Sequence, residues 1–129
     1  IQAIVPGMAS RRFGRVVNIS VSNIKFPQVN FAHSHAARTG LAGAIAAMVR
    51  ELVKDNVVIN SVLPGFFDTD ALRTNLHGHA ARGNTTYEAI VEDRLKMTPA
   101  GRFADPAECG DLIAFLCSAQ MGYMTGQNI

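Results

Sequence analysis

The stretch that most constrains this chain is Val57-Val-Ile-Asn-Ser-Val-Leu63, a nearly continuous apolar run of strand length stopped by Pro64-Gly65. A strand with one wet face alternates apolar and polar residues, so a run without alternation suits a parallel strand covered on both faces. Parallel pairing in turn requires a crossover, normally a helix, that returns the chain to the starting edge. The preceding residues supply both parts. Arg15-Val-Val-Asn-Ile-Ser20 is β-branched and of strand length, and residues 32–54 read as one long helix with Leu41, Ile45, Met48, Val49 and Leu52 on a single stripe. Strand, helix and strand make a βαβ unit, and the predicted class is α/β.

The other segments follow the same logic. Residues 1–8 are apolar and read as the end of a helix that breaks before the first strand. Residues 66–97 are more polar, with short helices predicted at 71–76 and 86–97 separated by His77-Gly-His-Ala-Ala-Arg-Gly-Asn84. A stretch of that length and composition is expected to be a flexible flap over a site. Asp105-Pro-Ala-Glu108 combines a capping box with Pro at the first helical position, so a helix should run from there to about Ser118. Tyr123-Met-Thr-Gly-Gln-Asn-Ile129 turns toward a further strand. With 129 residues the chain is one domain or part of one. Two strands and a stub neither satisfy their edges nor cover both sheet faces, so more chain or another subunit is expected to complete the sheet.

Composition excludes several classes of function. Hydrophobic residues make up 48% and charged residues 17%, which argues for a packed core and against disorder. The net charge is +2, and the one local basic cluster, Arg11, Arg12 and Arg15, is too weak for a nucleic-acid footprint. Cys109 and Cys117 lie eight residues apart on one predicted helix, roughly 12 Å along its axis, and cannot bridge each other. Unpaired thiols and the lack of a membrane-length apolar run lead to an expected cytoplasmic location, without membrane or nucleic-acid partners. The His residues at 33, 35, 77 and 79 have no Cys or carboxylate at ligand spacing, so no metal is expected. His33 and His35 are expected to face solvent or a neighbouring subunit. The helix also carries many small residues, among them Ala36, Ala37, Gly40, Ala42, Gly43, Ala44, Ala46 and Ala47. That face suits either close helix-on-sheet packing or a homo-oligomer interface through residues 32–54.

Five segments, in order, resemble the short-chain dehydrogenase/reductase superfamily over essentially the whole chain. Phe13-Gly-Arg-Val-Val-Asn-Ile-Ser20 is similar to the strand leading to that family's active-site Ser, and Val57-Val-Ile-Asn-Ser-Val-Leu-Pro-Gly65 to its next strand. Phe66-Phe-Asp-Thr69 completes a Pro-Gly-x-x-x-Thr motif. Met97 to Glu108 resembles the approach to the last helix, and Tyr123-Met-Thr-Gly-Gln127 the final strand approach. The resemblance implies a Rossmann-like doubly wound parallel sheet, of which this chain would be the carboxyl-terminal portion of a single NAD(P)-binding domain, with the flap at 66–97.

It also implies a chemistry and its departures. The family's Tyr-x-x-x-Lys pair falls on Ser34 and Arg38, whose four-residue spacing stacks them on one helix face. In the family the phenol transfers the proton that accompanies hydride, the Lys lowers the phenol's pKa and holds the nicotinamide ribose, and a Ser positions the carbonyl. The usual spacing back from Ser34 lands on Val21, between Ser20 and Ser22, either of which is a candidate for that Ser; the two share a side if strand geometry persists. A serine hydroxyl lacks a phenol's acidity, and an arginine, although it keeps the charge, is a poor proton relay. Tyr87 is the one phenol in the flap, with helix packing as its plainer role. Arg38, Pro64, Gly65 and Thr69 would hold the nicotinamide end of NAD or NADP. The family's Gly-rich phosphate turn does not occur in these residues. Two functions are therefore open: an oxidoreductase interconverting a carbonyl and an alcohol, or a non-catalytic subunit or binding protein of the same fold.

Overall fold

The computed structural model describes residues 1–129. Helix α1 (Val5–Ser10) leads into β1 (Gly14–Ile19); two 3-10 turns, Ser22–Ile24 and Val29–Phe31, precede α2 (Ala32–Leu52). A third turn, Val53–Asp55, feeds β2 (Val57–Val62), followed by α3 (Asp70–Arg82), α4 (Tyr87–Lys96) and α5 (Pro106–Leu116). The chain divides into two compact units, residues 1–64 with 111–129, and residues 65–110.

In the first unit β1 and β2 pair in parallel, in register from Gly14 opposite Val57 to Ile19 opposite Val62. All six residues of β2 are buried, as its nearly continuous apolar run predicts. Ile45 and Val49 of α2 pack on Ile59, flanked by Val16, Met48 and Leu52; burying such a side chain is worth about 1.5–3 kcal/mol. The other edge of β2 takes the last residues of the chain. Ser61 N–H donates to the Gln127 carbonyl at 2.7 Å and Leu63 N–H to that of Ile129 at 2.7 Å, around a parallel bridge between Ser61 and Asn128. Asn60, the polar interruption in the apolar run, ties this segment down: its Nδ2 donates to the Met124 carbonyl at 2.9 Å, and its Oδ1 accepts from Gln127 N–H at 3.0 Å.

The arginine cluster is used internally. Arg15 donates from Nε to the Ser118 carbonyl at 3.0 Å and from its guanidinium to the Asn56 carbonyl at 2.9 Å, while lying 4.5 Å over the Phe13 ring. Asn56 has φ 57°, which turns the chain from α2 into β2. Gly14 is required where β1 starts, since a Cβ there would sit 2.7 Å from Met8 Cβ and 2.9 Å from Val57 Cγ1.

Two expectations are corrected, for residues 77–82 and for Leu41, and one choice left open by the sequence is narrowed. Residues 77–82 are the second half of α3, not a break between short helices, so His77 and His79 are helical. Thr69 and Thr86 cap α3 and α4 by accepting from the N–H groups of Leu72 and Ala89, both at 3.2 Å. The small-residue face of α2 does not pack on the sheet: Ala36, Ala37, Gly40, Gly43, Ala44, Ala46 and Ala47 are exposed, and an added Cβ at Gly40 or Gly43 meets nothing within 4 Å. Leu41, assigned to the apolar stripe, is exposed as well.

Within the second unit, the Phe66 and Phe103 rings meet edge-on at 6.2 Å, and Asp68 N–H donates to the Ala104 carbonyl at 2.8 Å. Helix α5 begins as its capping box predicts. The Asp105 N–H donates to Glu108 Oε2 at 2.7 Å and Ala107 N–H to Asp105 Oδ1 at 2.8 Å.

Candidate functional site at the carboxyl end of the sheet

In a parallel α/β sheet the strands' carboxyl ends are where ligands are held, because the loops and helix starts converge there. Ser20 sits at that end of β1, its N–H donating to the Val62 carbonyl at 2.9 Å and its side chain buried. The strand stops at Ile19 and Ser22 opens a 3-10 turn, its carbonyl accepting from Lys25 N–H at 2.9 Å. Val21 between the two serines is extended, with φ −144° and ψ 146°, so the backbone keeps strand geometry up to the start of that turn. Helix α2 contacts this turn, and because its other end feeds β2 it starts from the sheet end where Ser20 and Ser22 lie.

Ser34 and Arg38, one helical turn apart, are joined directly: the Arg38 guanidinium donates to Ser34 Oγ. Both are half-buried. His35, between them in sequence, faces neither solvent nor a neighbouring subunit, contrary to expectation, but is buried within the chain. It is 8% exposed, its ring lies 6.3 Å from that of Phe31 at a 32° tilt, and Nε2 has no protein partner. His33 is exposed. The inward positions of α2 run His35, Arg38, Ala42, Ile45 and Val49, alternating steps of three and four residues. The sequence pattern detects only the apolar lower half of that stripe; extending its period upward is the signal that would have found His35.

Pro64 closes the first unit, half-buried after β2. Gly65 and Thr69 belong to the second unit, where Gly65 is exposed and the Thr69 hydroxyl oxygen caps α3. Tyr87, also in that unit, stacks on His77 with ring centroids 4.1 Å apart and planes 18° apart, the packing role rather than a free phenol.

With this geometry established, the sequence profile of a family described as enoyl-(acyl carrier protein) reductase matches residues 1–129. The chain belongs to the short-chain dehydrogenase/reductase superfamily. It is 35% identical over 126 residues to the 3-oxoacyl-[acyl-carrier-protein] reductase FabG of Aquifex aeolicus, covering 95% of this chain and 45% of that protein. The corresponding reductase of Vibrio cholerae is 32% identical over 128 residues, covering 99% and 48%. Among solved structures, an actinorhodin polyketide ketoreductase variant with NADPH superposes with a TM-score of 0.85 at 26% identity, over 95% of this chain and 47% of that one. An NAD+-bound xylitol dehydrogenase shares the fold at a TM-score of 0.85 and 20% identity, over 99% of this chain and 51% of that one. The Rossmann-like α/β class is thereby established, and the chain spans about half the length of the relatives it matches.

The residues at the sheet end fit the nicotinamide end of the cofactor that such superfamily members use. Arg38 keeps N–H donors beyond the one given to Ser34, Ser34 keeps its hydroxyl proton, and His35 Nε2 is unpartnered. That donor set matches ribose hydroxyls and a carbonyl oxygen.

Proposed function

We propose that the protein carrying this chain is an NAD- or NADP-dependent oxidoreductase that interconverts a small-molecule carbonyl and an alcohol. The observation that carries the reading is the Arg38–Ser34 hydrogen bond at the positions where the superfamily's catalytic pair belongs by motif, on a helix that contacts the 3-10 turn opened by Ser22. The relatives named 3-oxoacyl-[acyl-carrier-protein] reductase and acetoacetyl-CoA reductase support it.

When bound, the nicotinamide supplies or accepts the hydride. The chain's own residues do the rest. Arg38 holds the ribose hydroxyls with its remaining N–H groups and keeps a positive charge where the substrate oxygen becomes anionic. Ser20 or Ser22 donates to the carbonyl and orients it. Ser34, polarised by the guanidinium donating to its oxygen, gives its proton to the developing alkoxide. Without a phenol's acidity this is a weak acid, and general acid–base help of about a hundred- to ten-thousand-fold is largely forgone. Pro64, Gly65 and Thr69 as holders of the carboxamide rest on the Pro-Gly-x-x-x-Thr motif alone. A second reading, a non-catalytic subunit or binding protein, is favoured by one observation: Ser34 stands where the family has its Tyr.

Titrating the full-length protein with NADH and NADPH, followed by nicotinamide fluorescence, tests the cofactor claim. Saturable binding is expected for one of the two, weakened roughly tenfold or more in Arg38→Ala through loss of charge-assisted hydrogen bonds. Failure of both cofactors to bind would overturn the oxidoreductase reading.

A further inference from the structure

The turn that follows β1 is closed by its backbone and anchored by one side chain. The Ser22 carbonyl accepts from the Lys25 N–H at 2.9 Å and from the Phe26 N–H at 3.2 Å, so whatever fixes Lys25 also fixes the Ser22 peptide. No side chain caps the turn. Lys25 Nζ instead donates to the Asn128 carbonyl at 2.7 Å, across 103 positions of the chain. Both residues belong to the unit formed by residues 1–64 and 111–129.

That contact spans a strand. β1 lies along one edge of β2, and residues 127–129 lie along the other, where Ser61 N–H donates to the Gln127 carbonyl and Ile129 N–H to the Ser61 carbonyl. Two strand spacings, roughly 10 Å, separate β1 from that segment. The turn therefore reaches across β2, and the long stem of Lys25 completes the span. Asn128 is the residue left over by the ladder: Gln127 and Ile129 bond to β2, so the carbonyl between them is free for another donor. The residue so held carries a hydroxyl at the candidate site. Ser22 is half-buried, whereas the Ser20 side chain is buried.

We infer that Lys25 is a positioning residue: clasped to the Asn128 carbonyl, it holds the turn so that Ser22 presents its hydroxyl to the substrate carbonyl. The part in catalysis rests on the oxidoreductase reading; the clasp itself does not. Lys25 acts through Ser22, and through a hydrogen bond to a neutral carbonyl. A side chain of similar reach that keeps N–H donors therefore serves in its place, and one that lacks them does not.

Steady-state kinetics of the full-length protein with NADH or NADPH and an acetoacetyl thioester test it, beside amide hydrogen exchange. Lys25→Met, which keeps the stem without the donor, should lower kcat roughly threefold to tenfold, the worth of one hydrogen bond, and leave the nicotinamide KM unchanged. Lys25→Arg should restore most of the loss. In a Ser22→Ala background Lys25→Met should cost nothing further, because the two residues act as one. Exchange at the Phe26 amide, which donates to the Ser22 carbonyl, should quicken by a similar factor in Lys25→Met and not in Lys25→Arg. Unchanged Phe26 exchange or unchanged kcat in Lys25→Met overturns the inference, as does a kcat loss of equal size with and without the Ser22 hydroxyl. Absence of turnover in the unaltered protein sinks the oxidoreductase reading, and Phe26 exchange then decides the clasp alone.

Discussion

Arg38 commits one guanidinium N–H to the Ser34 hydroxyl, and that bond shapes what the pair can do. It fixes the serine rotamer and lowers the cost of the hydroxyl losing its proton, yet it leaves an aliphatic alcohol where a phenol would be far more acidic. Restoring the superfamily pair with Ser34→Tyr and Arg38→Lys should raise kcat for carbonyl reduction by about a hundred- to ten-thousand-fold, measured as nicotinamide absorbance loss at saturating substrate. An unchanged or lower kcat in a folded double variant would show that the pair is not at the reacting oxygen. The spacing of Ser34 and Arg38 was legible in the sequence because four residues always stack on a helix. His35 was not, because a polar residue at the top of an otherwise apolar stripe breaks the hydrophobic pattern while keeping its geometric period. The 3-10 turn that Ser22 opens was equally hidden, because Ser, Asn and Lys are at home in a strand end and in a turn alike.

Among the elements, those with a strong local signal appear where the sequence puts them. The nearly continuous apolar run is β2, the long period is α2, and the Asp-Pro-Ala-Glu box starts α5. Helix α3 was underread because its apolar residues are few and Gly78 interrupts it; what extends it to Arg82 is the Thr69 cap and burial of Leu76 and Ala80, neither of which is a periodic signal. The α5 start carries its own pH dependence. Both Glu108 oxygens accept from the Arg102 guanidinium at 2.7 Å, and one also accepts from the Asp105 N–H. Arg102 foremost, then that backbone donor, holds the carboxyl down at about 2, against an ordinary 4.5. Above 4.5 the folded and unfolded states both carry the charge and the contribution is fully present; between 4.5 and about 2 the unfolded state takes up a proton that the folded state refuses, so stability falls with pH. Urea unfolding midpoints across that window should fall less steeply for Glu108→Gln than for the unaltered protein, and parallel curves would show that the pair adds nothing.

For the whole molecule, two observations set the expectations. The chain spans about half the length of its relatives, and its two strands leave β1 with an open edge. The exposed small-residue face of α2 offers a smooth surface on which a second copy could lie closely, with Gly40 and Gly43 leaving room for its side chains. Sedimentation of the full-length protein should show an oligomer that Ala44→Arg shifts to smaller species; a monomer before and after would return that face to plain solvent exposure. That this face points outward was open in the sequence, because small residues suit a sheet contact and a subunit contact equally. The central claim is carbonyl–alcohol chemistry at the carboxyl end of β1, and its most direct test is the turnover of the full-length protein with NADH or NADPH and an acetoacetyl thioester, beside Ser34→Ala and Arg38→Ala. Slow nicotinamide oxidation is expected, dropping at least about tenfold in each folded variant, as removal of a positioned proton donor or charged ligand contact requires. Turnover undiminished in both variants would contradict chemistry at this site.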